Sequence, residues 1–137
     1  MDRKELRSLS ALRLREAQVL LSAGLSDGAY YLAGYAVECA VKACIAKATK
    51  RFEFPDKKRV DLSYSHNLRD LVRIAGLEEL RSERASKDLE FRKSWDTVQS
   101  WSEQSRYARN DQAAAEDLVK AIADKPDGIL AWLRLHW

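Results

Sequence analysis

The segment Arg106-Tyr107-Ala108-Arg109-Asn110-Asp111 gathers the residue types that hold phosphates. A guanidinium is a planar fork able to grip a phosphate through two parallel hydrogen bonds. Arg106 and Arg109 stand just ahead of a predicted helix start, where free backbone N–H groups and the helix dipole already favour anions. Arg106, Tyr107, Arg109 and Asn110 are therefore the candidate residues for binding a nucleotide or RNA. A structural alternative carries equal weight. In it Arg106 pairs with Glu38 inside the protein and Asn110 is a plain helix cap.

Glu38 and Lys42 form a second constellation, spaced four residues apart in the acid-first order that favours a pair along one helical stripe. The stretch around them, Asp27–Lys47, is otherwise apolar almost all the way round, so these charges need partners. A buried polar network of Glu38, Lys42 and Arg106 that sets helix register is the better reading, ahead of acid–base work. His66, in the first turn of a predicted helix, reads as a packing or capping residue. With Arg109 it is also the candidate for catalysis, should the chain catalyse anything. His136 is assigned no role.

Other chemistries lack their residues. Two histidines and two cysteines make a zinc site improbable, and no pair of the five glycines falls in a phosphate-loop pattern. No serine sits in a nucleophile elbow, and no cofactor is implied. Cys39 and Cys44 lie about 140° apart around one helix, so they do not pair with each other. They read as small core residues in a reducing cytoplasm.

The elements that position these groups are helices. A first amphipathic helix spans 3–23, ended by Gly24, and Asp27 is the predicted cap of a central helix at 28–48. A loop from about 49 to 64 carries Phe52, Phe54 and Pro55, the proline biasing Phe54 away from helical geometry. Ser65 is the predicted cap of a short helix at 66–75 that stops at Gly76. A fourth helix covers about 78–104, with a candidate break within 81–88 and an apolar stripe of Phe91, Trp95, Val98 and Trp101. The polar stretch 102–110 is a turn. Asn110 or Asp111 caps a fifth helix through Ala123, Pro126 stops it, and a last short helix spans 128–136.

The bulk composition agrees. With 137 residues, 46% hydrophobic and 33% charged, the chain suits one domain over 1–137, neither disordered nor membrane-spanning. The charge-free run Gly28–Val37 is far too short for a bilayer, and the opening Asp2-Arg3-Lys4-Glu5 is no signal peptide. A net charge of +3 permits nucleic-acid contact without demanding it. Basic residues concentrate at 1–15 and 47–59, as solvated faces do, with a phosphate-contacting rim as the sharper reading. Few prolines and glycines and no strand pattern give an all-α protein: an up-and-down four-helix-type bundle with extra short helices. Its four tryptophans read as core and dimer-interface anchors.

Ala29-Tyr30-Tyr31-Leu32-Ala33-Gly34-Tyr35-Ala36-Val37-Glu38-Cys39-Ala40-Val41-Lys42-Ala43 resembles the second-helix signature of HEPN domains (higher eukaryotes and prokaryotes nucleotide-binding). Ser65-His66-Asn67-Leu68 resembles their His-x-Leu start of the next helix, Ser105-Arg106-Tyr107 their Arg-Tyr turn, and Gly128–Leu133 a common ending. The likeness spans roughly residues 10–137.

That resemblance implies a dimerising helical bundle in prokaryotic toxin–antitoxin, defence or nucleotidyltransferase-linked systems. Its partners would be a second copy, a nucleotidyltransferase or antitoxin protein, and RNA or nucleotide. Many such domains are metal-independent endoribonucleases with an Arg-x(4–6)-His motif, in which His moves the proton and Arg holds the phosphate. Here Arg109-Asn110 matches the start, but the histidine positions are Ala114, Ala115 and Glu116. Counted from Arg106 they are Asp111, Gln112 and Ala113. The resemblance with this departure implies a non-catalytic binding domain. The alternatives are a divergent ribonuclease using His66, and a purely structural interaction subunit.

Overall fold

A computed structural model describes residues 1–50 and 57–137 of the protein, with the side chain of Lys50 also outside the described set. The expected break at Pro55 lies outside the described residues, as do Arg51, Phe52, Glu53, Phe54 and Asp56.

The chain is all-helical, and no strand occurs among the described residues. Helix α1 (Arg3–Ser22) opens with a capping box. The Asp2 carboxylate accepts from the Glu5 N–H at 2.8 Å while the Glu5 carboxylate accepts from the Asp2 N–H at 2.8 Å. It ends at Gly24, whose φ of +77° is cheap only for glycine. Its buried face, Ser10, Leu14 and Ala17, lies on α2 (Ser26–Lys50). There the Ser10 hydroxyl donates to the Ala36 carbonyl at 2.7 Å, which satisfies a fully buried polar group.

Helix α2 is central. It packs against α1, α4, α7, α8 and a 3-10 turn, and it buries Ala29, Ala33, Ala36, Ala40 and Ala43 along one stripe and Val37, Val41 and Ile45 along another. Small side chains let several helices approach one axis closely, which is why an apolar, alanine-rich helix ends up surrounded. Cys39 and Cys44 lie on it as free, buried thiols. Burial pushes their thiols up, Cys39 to about 11 and Cys44 to about 12. Both are expected to resist a thiol-specific reagent in the native protein at pH 8 and to react fully in denaturant. The unfolded thiols ionise from about 9.0 upward while the folded ones keep their protons, so stability falls as pH rises between those values.

The expected loop at 49–64 contains a helix, α3 (Lys57–Leu62), which the run of charged residues concealed. Helix α4 (Leu68–Ile74) is capped by Asn67 rather than Ser65, its side chain accepting from the Asp70 N–H at 3.1 Å. The candidate break within 81–88 is present at Asp88 and divides the helix expected at 78–104 into α5 (Glu78–Lys87) and α6 (Leu89–Gln99), which ends five residues sooner than expected. Asp88 separates them in an extended conformation and caps α6 through the Phe91 N–H. Phe91, Trp95 and Val98 form the buried stripe of α6. Trp101 lies past its end and is buried independently, stacked against Tyr31 at 6.2 Å.

A 3-10 turn (Glu103–Tyr107) occupies the expected polar turn. Asp111, not Asn110, caps α7 (Gln112–Ala123), whose Leu118 and Ile122 are fully buried. Helix α8 is shorter than expected, Ile129–Leu133, and its Trp132 meets Phe91 edge-on at 5.4 Å. None of the helices among the described residues is long and apolar enough to cross a membrane.

Candidate functional site

Glu38 sits mid-helix on α2 with its side chain 3% exposed. Its Oε1 receives Lys42 Nζ at 3.0 Å, one turn along the same helix, and His66 Nδ1 at 2.8 Å. Its Oε2 is buried without a hydrogen-bond partner. A buried carboxylate is tolerable only where cations and donors gather around it, and here both converge on one oxygen.

Local backbone chemistry delivers the imidazole. Ser65 Oγ accepts from the Asn67 N–H at 3.0 Å, and Asn67 in turn caps α4, so the backbone on the C-terminal side of His66 is pinned by two nested side-chain bonds. His66 therefore lies just outside α4 and reaches α2, whereas the sequence placed it within the helix. Its outer nitrogen, Nε2, stands 3.3 Å from Glu103 Oε2, at the start of the 3-10 turn. Each ring nitrogen thus faces one carboxylate, Nδ1 that of Glu38 and Nε2 that of Glu103. The two carboxylates take opposite nitrogens and cannot converge on one ion. Among the described residues no group of three or more His, Cys, Asp or Glu side chains is placed to hold a metal.

Arg106 does not join this network. Ser105 is the buried residue of the 3-10 turn, and its neighbour Arg106 turns outward, with the guanidinium 4.9 Å from the centroid of the exposed Tyr107 ring. Side chains three apart on a 3-10 helix eclipse one another. Glu103, nearer His66, thus takes the place beside the imidazole, and Arg106 stands one turn further along the same side. The expected partner of Glu38 is corrected from Arg106 to His66.

The rest of the candidate segment is anchored to the start of α2. Asp27, expected as a helix cap, instead accepts from the Asn110 N–H through Oδ1 and pairs with Arg109 Nε through Oδ2 at 2.7 Å. Ser26 Oγ donates to the Asn110 carbonyl at 2.6 Å. The backbone at 110 is thus held from both sides, while the Arg109 side chain remains 94% exposed and Tyr107 76% exposed. Asn110 Nδ2 is buried without a partner, which sets this residue apart from an exposed ligand-binding amide.

Lys42 also lines a cleft of about 440 Å³, together with Arg3, Ile45, Ser63 and Tyr64. The sequence signals for this site were Glu38, Lys42 and the Ser-His-Asn-Leu segment. Glu103 carried none, because its role depends on where the 3-10 turn lands.

Chemically the arrangement offers two things. One is an imidazole oriented by the buried Glu38 carboxylate at Nδ1, the relation of a base to its orienting group, with Nε2 facing the half-exposed Glu103 carboxylate. The other is an exposed arc with two guanidinium groups and an aromatic ring. The chain matches no family model, no curated protein and no solved structure in comparisons with known proteins.

Proposed function

We propose that the chain is a HEPN-like helical domain that binds RNA or nucleotide through Arg106, Tyr107 and Arg109 without cleaving it. The observation that carries this reading is the exposed arc itself. Arg106 stacks on a tyrosine that is 76% exposed, and Arg109 projects with its side chain 94% exposed. An exposed aromatic ring is a platform for a base, and flanking guanidiniums meet the phosphates. Asn110 supports the arc through its backbone. The class of system, toxin–antitoxin, defence or nucleotidyltransferase-linked, rests on the sequence resemblance alone.

The test is fluorescence anisotropy with a labelled single-stranded RNA. The Arg106→Ala/Arg109→Ala variant is expected to bind at least about tenfold more weakly, with the salt slope reduced by about 1.4 for two lost phosphate contacts. Unchanged affinity in that variant overturns the reading.

A second reading is favoured by one contact, the 2.8 Å bond between Glu38 and His66 Nδ1. In it the chain is a divergent metal-independent endoribonuclease, with His66 as the proton-transfer group and Arg106, one turn from Glu103, holding the phosphate. Cleavage of RNA in the presence of a chelator, lost in His66→Ala, supports it; intact RNA after prolonged incubation rejects it.

A further inference from the structure

The cleft of about 440 Å³ beside Lys42 shares no lining residue with the 106–110 arc. Its volume falls in the range of small-molecule sites, roughly 300 to 1,000 Å³. Three parts of the chain form it. Lys42, Ile45, Ala46 and Thr49 recur at three- and four-residue spacing along one stripe of α2. Arg3 and Leu6 come from the first turn of α1, and Ser63 and Tyr64 from the segment just past α3. Leu6, Ile45 and Ala46 make much of the surface apolar.

The polar groups of the lining differ in what they have left to offer. Thr49 Oγ1 donates to the Ile45 carbonyl at 2.9 Å, and Ser63 Oγ donates to the Val60 carbonyl at 2.6 Å. Asp2 is engaged as the cap of α1. The two cations keep donors free. Lys42 Nζ directs one of its three donors to Glu38 at 3.0 Å. Arg3 donates through one terminal nitrogen to the Trp137 carbonyl at 2.6 Å, and its Nε–H is buried without a partner among the described residues. An orphaned buried donor marks a place where an acceptor belongs.

We propose that this cleft binds a small organic monoanion, a carboxylate carried on a flat apolar body. Its oxygens meet Lys42 and Arg3, and its body lies on Leu6, Ile45 and Ala46. The single charge follows from Glu38, a carboxylate 3% exposed and one hydrogen bond beyond Lys42. A dianion would set a second negative charge against it in a poorly solvated place. A neutral ligand would leave the donors of both cations facing an apolar body. The site stands or falls independently of RNA binding.

Titration of the full chain with 2-naphthoate, followed by amide chemical shifts, tests the proposal. The dissociation constant is expected at about 1 mM or below, as suits a fragment-sized ligand. 2-Naphthamide has the same shape without the charge, and 2-naphthyl phosphate carries two charges; each is expected to bind at least about tenfold more weakly. Lys42→Met and Arg3→Gln are each expected to weaken 2-naphthoate about tenfold. Arg3→Gln stands clear of Glu38, so it remains decisive if Lys42→Met disturbs folding. Ala46→Trp fills the cleft, leaves both cations in place and is expected to abolish binding with an unchanged helical circular-dichroism spectrum. No binding to wild type overturns the proposal. So does equal affinity for the amide, tighter binding of the phosphate, or affinity for 2-naphthoate that survives Arg3→Gln or Ala46→Trp.

Discussion

Gly34→Ala is expected to destabilise the protein by about 3 kcal/mol, although helix propensity alone predicts the opposite sign. Replacing an interior helical glycine with alanine ordinarily favours the helix by about 1 kcal/mol. At position 34 a Cβ would fall 2.1 to 2.2 Å from three atoms of the Trp101 indole, far inside contact distance. The indole cannot swing aside cheaply. It is 2% exposed and stacked on Tyr31 with an interplanar angle of 30°. Its segment is held between α6 and the 3-10 turn, so the overlap is relieved only by moving that segment. Urea unfolding reads the effect as a shift in midpoint at constant slope. In a Trp101→Leu background, itself weakened by the lost indole, the same glycine substitution should cost much less, giving a large coupling in a double-mutant cycle. Equal cost in both backgrounds would show that the indole is not what the methyl meets.

Lys42→Ala/His66→Ala, which strips both partners from Glu38, is expected to cost about 3 to 5 kcal/mol. The reason is asymmetry. A carboxylate 3% exposed, with Oε2 already lacking a partner, has no water to fall back on once Oε1 is also left bare. Lys42→Ala alone should cost less, because the His66 bond at 2.8 Å remains. Adding Glu38→Leu to the double variant is expected to recover most of the stability, since replacing an entire buried polar set by apolar side chains is often neutral or better. A triple variant as unstable as the double would place the loss in packing rather than in the charge. His66→Ala also separates stability from chemistry. If RNA is cleaved by wild type, a folded His66→Ala protein that still binds RNA but does not cut it assigns the imidazole to proton transfer.

The two predictions draw on different levels of the chain's organisation. Glu38 and Lys42 were paired from spacing alone, because a helix fixes what lies four residues ahead. The sequence reads His66 as a packing or capping residue of the following helix, and the structure sets its ring between Glu38 and Glu103. Ser65 reads as the cap, whereas Asn67 caps α4 with the Ser65 turn nested ahead of it, and that two-residue offset moves the ring from α4 to α2. Arg106 was assigned to Glu38 on charge alone. Charge says that a buried carboxylate needs a cation, but not which one arrives.

What the sequence by itself determined was the helical class, the central position of the Asp27–Lys47 segment and most helix ends. These rest on short-range physics: the 3.6-residue period, the glycine stops at Gly24 and Gly76, and the Asp111 cap. The tertiary structure decided the company each polar group keeps. Asp27 leaves its expected cap to hold Arg109 and Asn110, more than eighty positions away. Gly34 makes room for Trp101, and Glu103 displaces Arg106 beside His66. The last of these outcomes depends on the rotation of one 3-10 turn about its axis. That rotation is set by which of its residues the α2 surface buries, Ser105, and no local pattern of residues encodes it.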